Sequence, residues 1–209
     1  MQYLILMALL AGMAGGVTAL AYLGLAQRLR RGSLEQAAGQ LGMMFSRTDL
    51  FALESRYGGF LLPSLGHSGR VENLVYGRYE GWYLRLFDYS FEIGHGPGRV
   101  LRRYGVLVIE TDLPLPDGLL WQDGDTEYPP LAVQRPVAWA GPWRVVAGPE
   151  AAEALVEALG PVGQEPLGIE VRGGWVMLVG GRRWKGRQLA ALVDHASAGM
   201  RKLGRPAAA

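Results

Sequence analysis

The hydrophobic pattern of the chain changes character along its length. From Tyr3 to Leu25 it runs YLILMALLAGMAGGVTALAYLGL, apolar on every side and free of charge. At 1.5 Å per residue a helix of that length reaches roughly 35 Å, enough to cross about 30 Å of hydrocarbon. Tyr3 and Tyr22 sit near its ends, where interfacial aromatics belong, and Thr18 can return its hydroxyl to the helix's own backbone. The pattern predicts a transmembrane helix over residues 1–26. A cleaved secretory signal is the rival reading, because Ala19-Leu20-Ala21 has the small-residue form of a cleavage site. Only Met1 and Gln2 precede the apolar run, however, and neither is basic. Arg28, Arg30 and Arg31 follow the run, while its other flank has no basic side chain. The positive-inside rule then puts the amino terminus outside and the remainder in the cytoplasm, as a single-pass protein of the inner membrane. Within the run, Gly12-x-x-x-Gly16 matches the small-residue spacing that lets two helices approach, although such residues are common in membrane helices in any case.

Beyond the arginines the period becomes helical. Ser33-Leu34-Glu35-Gln36 has the spacing of a capping box, and Leu34, Ala37, Ala38, Leu41, Met44 and Phe45 recur at helical spacing, with a break or stop near Gly42. A second short helix is expected between Asp49 and Arg56, so residues 27–62 read as a juxtamembrane helical segment, and Pro63 to Gly69 as loop. The period then drops to two. Val71 to Tyr79 and Trp82 to Ile93, joined by Glu80-Gly81, predict a hairpin. In its second strand Tyr83, Arg85, Phe87, Tyr89, Phe91 and Ile93 share one face, and Trp82, Leu84, Leu86, Asp88, Ser90 and Glu92 share the other. Apolar residues on both faces of the first half suit a central strand. Gly94 to Gly98 is a turn, and Val100 to Asp112 a third strand ended by Pro114 and Pro116. Trp121 to Pro142 is irregular, acidic and proline-bearing, which marks a surface excursion or a boundary between sub-lobes 63–121 and 143–203. After it come a strand (Trp143 to Ala147), a helix opened by Pro149 and ended near Gly160-Pro161, and a Gly173-Gly174 hairpin. A helix from Gln188 to Leu203 closes the series. This order predicts an α+β domain over 63–209, with a mainly antiparallel sheet packed with helices.

The run Gly77-Arg78-Tyr79-Glu80-Gly81, continued by Leu86-Phe87-Asp88-Tyr89, resembles a family of uncharacterised bacterial membrane-anchored proteins. These place a Gly-x-Tyr-x-Gly…Leu-Phe-Asp-Tyr segment after an amino-terminal hydrophobic helix. The likeness covers about Val71 to Asp112. Members often begin with two spans, whereas this chain offers one. The resemblance implies a domain of unknown function and transfers no site residue.

Composition narrows the chemistry. The chain has no cysteine, which removes disulfides, thiolate nucleophiles and Cys-ligated metals. Its formal charge is +2, but all 21 basic residues lie after Leu25, and without the three juxtamembrane arginines 18 remain against 19 acidic. The balance speaks against a basic face for nucleic acid and for contact between the arginines and lipid. His67, His95 and His195 show no metal-ligand spacing, and no metal or cofactor is expected. Asp123-Gly124-Asp125-Thr126-Glu127 resembles the start of a calcium loop but lacks the later Gly and Glu, so a solvated acidic loop is the better reading. Gly94-His95-Gly96-Pro97-Gly98-Arg99 lacks the helix that a phosphate loop needs. Asp88 reads as a strand-end carboxylate paired with Arg78 or Arg85. No catalytic residue is assigned. The expectation is an interaction or accessory subunit of a membrane complex, with the bilayer and a membrane protein as partners. A tethered lipid- or small-ligand-binding domain is the alternative. A hydrolase built from dispersed Ser, His and Asp ranks last and would require His67 or His95 to meet Asp88 and a serine.

Overall fold

The computed structural model describes residues 2–122, 137–160 and 167–204, without the side chains at positions 2, 4, 5, 6, 8, 11 and 167. Four α-helices and a nine-stranded sheet make up the described fold. The helices are α1 (Gln2–Gln40), α2 (Leu53–Arg56), α3 (Ala152–Leu159) and α4 (Gly186–Leu203). The strands are β1 (Met44–Thr48), β2 (His67–Tyr79), β3 (Trp82–Ile93), β4 (Val100–Glu110) and β5 (Gly118–Gln122). They continue with β6 (Ala138–Ala140), β7 (Trp143–Ala147), β8 (Leu167–Arg172) and β9 (Trp175–Gly180). Their spatial order is β1-β2-β3-β4-β9-β8-β5-β7-β6, every neighbour antiparallel. The α+β class and the antiparallel sheet are thus as the pattern predicts, and 63–121 and 143–203 contribute strands to one sheet.

The alternation in β3 explains the layering. Trp82, Leu84 and Leu86 enter a core shared with Ala37 and Ala38 of α1, Leu155 and Leu159 of α3, and Leu189 and Val193 of α4. Phe87, Tyr89 and Phe91 enter a second core with Leu53 and Tyr57 of the α2 region, Phe60, Val106 and Met177. Each large side chain so buried contributes about 2 kcal/mol of transfer free energy, and a strand covered on both faces collects that on both. The β2–β3 turn has positive φ at Glu80 (49°) and Gly81 (89°), the backbone that matches the twist of a two-residue hairpin.

Three local expectations are corrected. Ser33 caps nothing: α1 passes through it without a break, and its hydroxyl donates to the Arg30 carbonyl at 2.7 Å inside the helix. No proline or competing partner interrupts the segment, so helix propagates across the cap-like spacing. Second, the expected juxtamembrane helical segment contains a strand, β1, which pairs with β2 through Met44↔Tyr76 and Thr48↔Glu72. Third, β2 begins at His67, inside the expected loop, because His67 pairs with Glu92.

Within α1 two environments meet. Leu34, Ala37 and Ala38 are buried, while Tyr3, Met7, Leu9, Leu10, Met13, Val17, Leu20, Tyr22, Leu23, Leu25 and Leu29 are all exposed, Leu20 at 71%. Thr18 Oγ1 donates to the Ala14 carbonyl at 2.8 Å, as its position in the run predicts. Among the described residues no helix is long and apolar enough to cross a membrane, so the expected span over residues 1–26 is not shown.

Candidate functional site at the junction of α1 and the sheet

Where α1 leaves the domain, a charged network is built into the sheet. Asp88 lies mid-strand in β3 on the same face as Leu84 and Leu86, so its carboxylate points at α1 rather than at solvent. Arg30 meets it with two parallel bonds, Nε to Oδ2 at 3.1 Å and Nη2 to Oδ1 at 2.5 Å. The remaining Arg30 nitrogen, Nη1, donates to the Trp184 carbonyl at 2.7 Å. Asn73 Nδ2 donates to Asp88 Oδ2 at 2.8 Å, and Asn73 Oδ1 accepts from Arg31 Nε at 3.3 Å. Asp88 and Asn73 are only 6% and 5% exposed, so this is a buried network whose carboxylate is well supplied with donors.

Each member is held by local backbone. Asn73 occupies a register shift of β2 between Glu72 and Val75 and has φ of 54°, a left-handed position that Asn tolerates better than most residues. It is the sole asparagine of the chain. Trp184 is held by a glycine notch. Gly105 of β4 faces Gly180 of β9, and a Cβ on either would come within 2.9 or 2.7 Å of the Trp184 ring. Asp88 is paired with that same Gly105, so the notch, the indole and the carboxylate share one level of the sheet. Arg183 beside them is pushed down from its ordinary pKa, first by burial; Asp88 opposes the shift, while Arg30 and Arg103 reinforce it.

The network corrects the reading of Asp88. It is neither at a strand end nor paired with Arg78 or Arg85; Arg85 instead bonds Glu110 at 2.9 Å. Arg30 and Arg31 of the expected membrane flank are turned into the domain, and Arg28 is exposed. A Cβ added to Gly12 or Gly16 would meet nothing within 4 Å, so their faces are open.

The other candidate chemistry separates in space. His67 stacks on His95 with centroids 4.8 Å apart, at the β3–β4 end of the sheet. Ser68 Oγ and Glu92 Oε2 lie 3.2 and 3.9 Å from the same His67 nitrogen, Nδ1, while Nε2 is 2.8 Å from the Gly94 carbonyl. A triad needs the nucleophile and the acid on opposite ring nitrogens, so this cluster is not wired for acyl transfer. Asp88 is engaged by Arg30 and Asn73 instead. His195 Nε2 meets the Gly160 carbonyl at 2.8 Å. Among the described residues no group of three metal-capable side chains assembles. The acidic stretch from Asp123 to Glu127 lies outside the described residues.

Two cavities bear on ligand binding. An apolar one between α2 and the sheet, lined by Leu53, Tyr57, Phe87 and Met177, holds about 10 Å³, too little for an acyl chain. The second, about 240 Å³, is a half-open cleft beside Phe60, Leu61, Asp117 and Glu170. Glu170 Oε2 accepts from the Leu61 amide at 2.8 Å, and Arg172 stands 3.8 Å from its other oxygen. Burial pushes this carboxyl up to about 7, against the lowering by the Leu61 amide and Arg172. Glu170 and Asn73 gave no signal as functional residues in the sequence, beyond the latter's being a lone asparagine.

An antiparallel nine-stranded α+β sheet, with a long amino-terminal helix pinned to it by a partly buried arginine–aspartate pair, is the class these observations define. No protein-family model matches the chain, and no curated protein matches it. Among solved structures it is similar to the mycobacterial trehalose monomycolate transport factor A, TtfA. The TM-score is 0.52, with 14% identity, over 86% of this chain and 97% of that one. At that identity the likeness shows the fold alone.

Proposed function

We propose that the chain is a membrane-anchored accessory protein, with α1 in the bilayer, its amino terminus outside and its α+β domain on the cytoplasmic face. The observation that carries this reading is the first two-thirds of α1: exposed apolar side chains on all sides, which water disfavours and lipid does not. The whole stretch from Tyr3 to Leu25 carries no charge, and it includes Leu, Ile, Leu, Ala and Ala at positions 4, 5, 6, 8 and 11. Gly12 and Gly16 then offer a small-residue face to a second helix in the membrane. The junction gives the domain a fixed attachment to that helix. The resemblance to the bacterial membrane-anchored family supports the same reading, since its Leu-Phe-Asp-Tyr segment supplies Asp88, the carboxylate that binds α1.

The domain works by contact with a membrane protein rather than by catalysis. Supporting this, among the described residues, are Ser, His and Asp groups that form no triad and the apolar cavity of about 10 Å³. The structural neighbour is a transport factor for trehalose monomycolate, which favours an accessory role in lipid transport. Alkaline extraction of native membranes followed by crosslinking tests the reading. The chain stays in the pellet and crosslinks to a discrete membrane partner. Release of the full chain at alkaline pH removes the anchor, and a chain that never crosslinks removes the accessory role.

A further inference from the structure

The β3–β4 hairpin reaches beyond the junction toward the side from which α1 arrives. Arg30 of α1 lies at Asp88 of β3, and the residues that follow α1 lie lower on the same strand pair: a Cβ on Gly77, which pairs with Leu84, would contact Met43. So α1 descends the β2–β3 pair in the direction opposite to β3, and the stretch from Asp88 to Ile93 reaches about 16 Å toward the amino-terminal side of α1 at ~3.3 Å per residue. The same distance along α1 spans about eleven residues at 1.5 Å each, from Arg30 into the apolar run. The hairpin tip therefore stands at or beyond the level where α1 becomes wholly apolar.

The tip has the chemistry of a bilayer surface. Val100 and Leu101 are exposed there at 45% and 48%, on opposite faces because they are sequential in β4. Arg70 and Arg103 both pair with Ser90, on the face of β3 that carries Asp88, and both are exposed. Arg99 is exposed at the turn, with Glu92 3.2 Å from its guanidinium. Two half-exposed apolar side chains at a strand end, ringed by arginines, match the headgroup layer of an anionic bilayer, where apolar groups reach the acyl boundary and guanidiniums meet phosphates.

We propose that the tip of the β3–β4 hairpin is a second membrane contact, in which Val100 and Leu101 enter the headgroup layer and Arg70, Arg99 and Arg103 bind the phosphates of anionic lipids. The contact rests on the reading that α1 lies in the bilayer. It turns a one-point tether into a two-point seat, which sets the tilt of the domain over the membrane and makes that tilt depend on lipid charge.

The chain has no cysteine, so single cysteines report cleanly. Full chains with Leu20→Cys, Val100→Cys, Leu101→Cys or Glu157→Cys, each carrying an environment-sensitive fluorophore, are reconstituted in nanodiscs holding a lipid-linked quencher. The bilayers are phosphatidylcholine, alone or mixed with phosphatidylglycerol. Leu20→Cys reads the anchor, and Glu157→Cys, at an exposed position of α3, gives the background. The expected result is quenching at Leu20 in both bilayers, and quenching at positions 100 and 101 that rises with phosphatidylglycerol. Arg103→Gln then lowers the docked-to-free ratio of the tip about fivefold, the factor carried by one near-surface arginine. Quenching at Leu20 with only background at 100 and 101 overturns the second contact and leaves the anchor standing. Background at Leu20 overturns the anchor and the contact together. Equal quenching in the two bilayers overturns the recognition of anionic headgroups.

Discussion

Two carboxylates buried in the same sheet, Asp88 and Glu170, are treated in opposite ways. Asp88 receives two bonds from Arg30 and one from Asn73, and its guanidinium partner is itself satisfied by the Trp184 carbonyl. Glu170 is as deeply placed, at 6% exposure, yet it has one backbone amide and an arginine 3.8 Å away that is itself half exposed. Desolvation costs both groups several kcal/mol when charged, and only the first recovers it in close, oriented donors. The lesson is that depth alone does not set a carboxylate's behaviour. Asp88 is a structural pin between elements 58 residues apart in the chain, whereas Glu170 is poised to change charge near neutrality.

Removal of one partner from the pin has the largest expected effect. Arg30→Ala leaves Asp88 buried without its counter-ion, and urea unfolding of the full chain in detergent shows a loss of about 3–5 kcal/mol. A loss under 1 kcal/mol would mean that the pair is solvated and that α1 is free to swing. Next comes Glu170. Its folded pKa, about 7, lies above its ordinary value of 4.5, so the folded state holds the proton more tightly than the unfolded one. Stability is therefore highest below about pH 4.5 in this group's contribution and falls as pH rises toward 7, by on the order of 3 kcal/mol in total. Glu170→Gln keeps an acceptor for the Leu61 amide and flattens that slope. Unfolding measured across this pH range checks it, and an unchanged slope in the variant would assign the dependence to another group. Asn73→Ala is smaller, about 2 kcal/mol, because it deletes one bond to Asp88 and puts Ala at a φ of 54°. Arg172→Ala is smallest, within about 0.5 kcal/mol at neutral pH, as expected of an exposed, 3.8 Å partner. It moves the Glu170 midpoint upward, which carboxyl NMR would follow.

Much of this fold is legible from spacing. The β2–β3 and β8–β9 hairpins, the faces of β3 and the closing helix α4 all follow from period and turn chemistry, because those signals are carried by neighbours in sequence. The strands that escape are short ones. β1 is an edge strand of five residues with no buried side chain, β6 has three residues, and β5 sits between Pro116 and an acidic stretch. Their pairing comes from partners far along the chain. The junction escapes for the same reason. Arg30 reads as a membrane flank, and nothing near it in sequence announces an aspartate in a distant strand. Glu170 is hidden in the same way, as one polar position in an alternating strand whose cover comes from Phe60 and Leu61.

The unbroken passage of α1 through Ser33 into the buried Ala37 and Ala38 carries a mechanical consequence. A helix that is continuous and clamped at one end transmits rotation as well as position. With about 3.6 residues per turn, one extra residue between Leu25 and Arg28 would turn the whole domain by about 100° about the helix axis and lift it by ~1.5 Å. If that helix keeps a fixed azimuth against a neighbour in the bilayer, the compass bearing of the sheet beneath it is written in the residue count of the linker. Insertions of one or two residues should then turn the domain away from that bearing, and an insertion of about seven, close to two full turns, should restore the bearing while lifting the domain by about 10 Å.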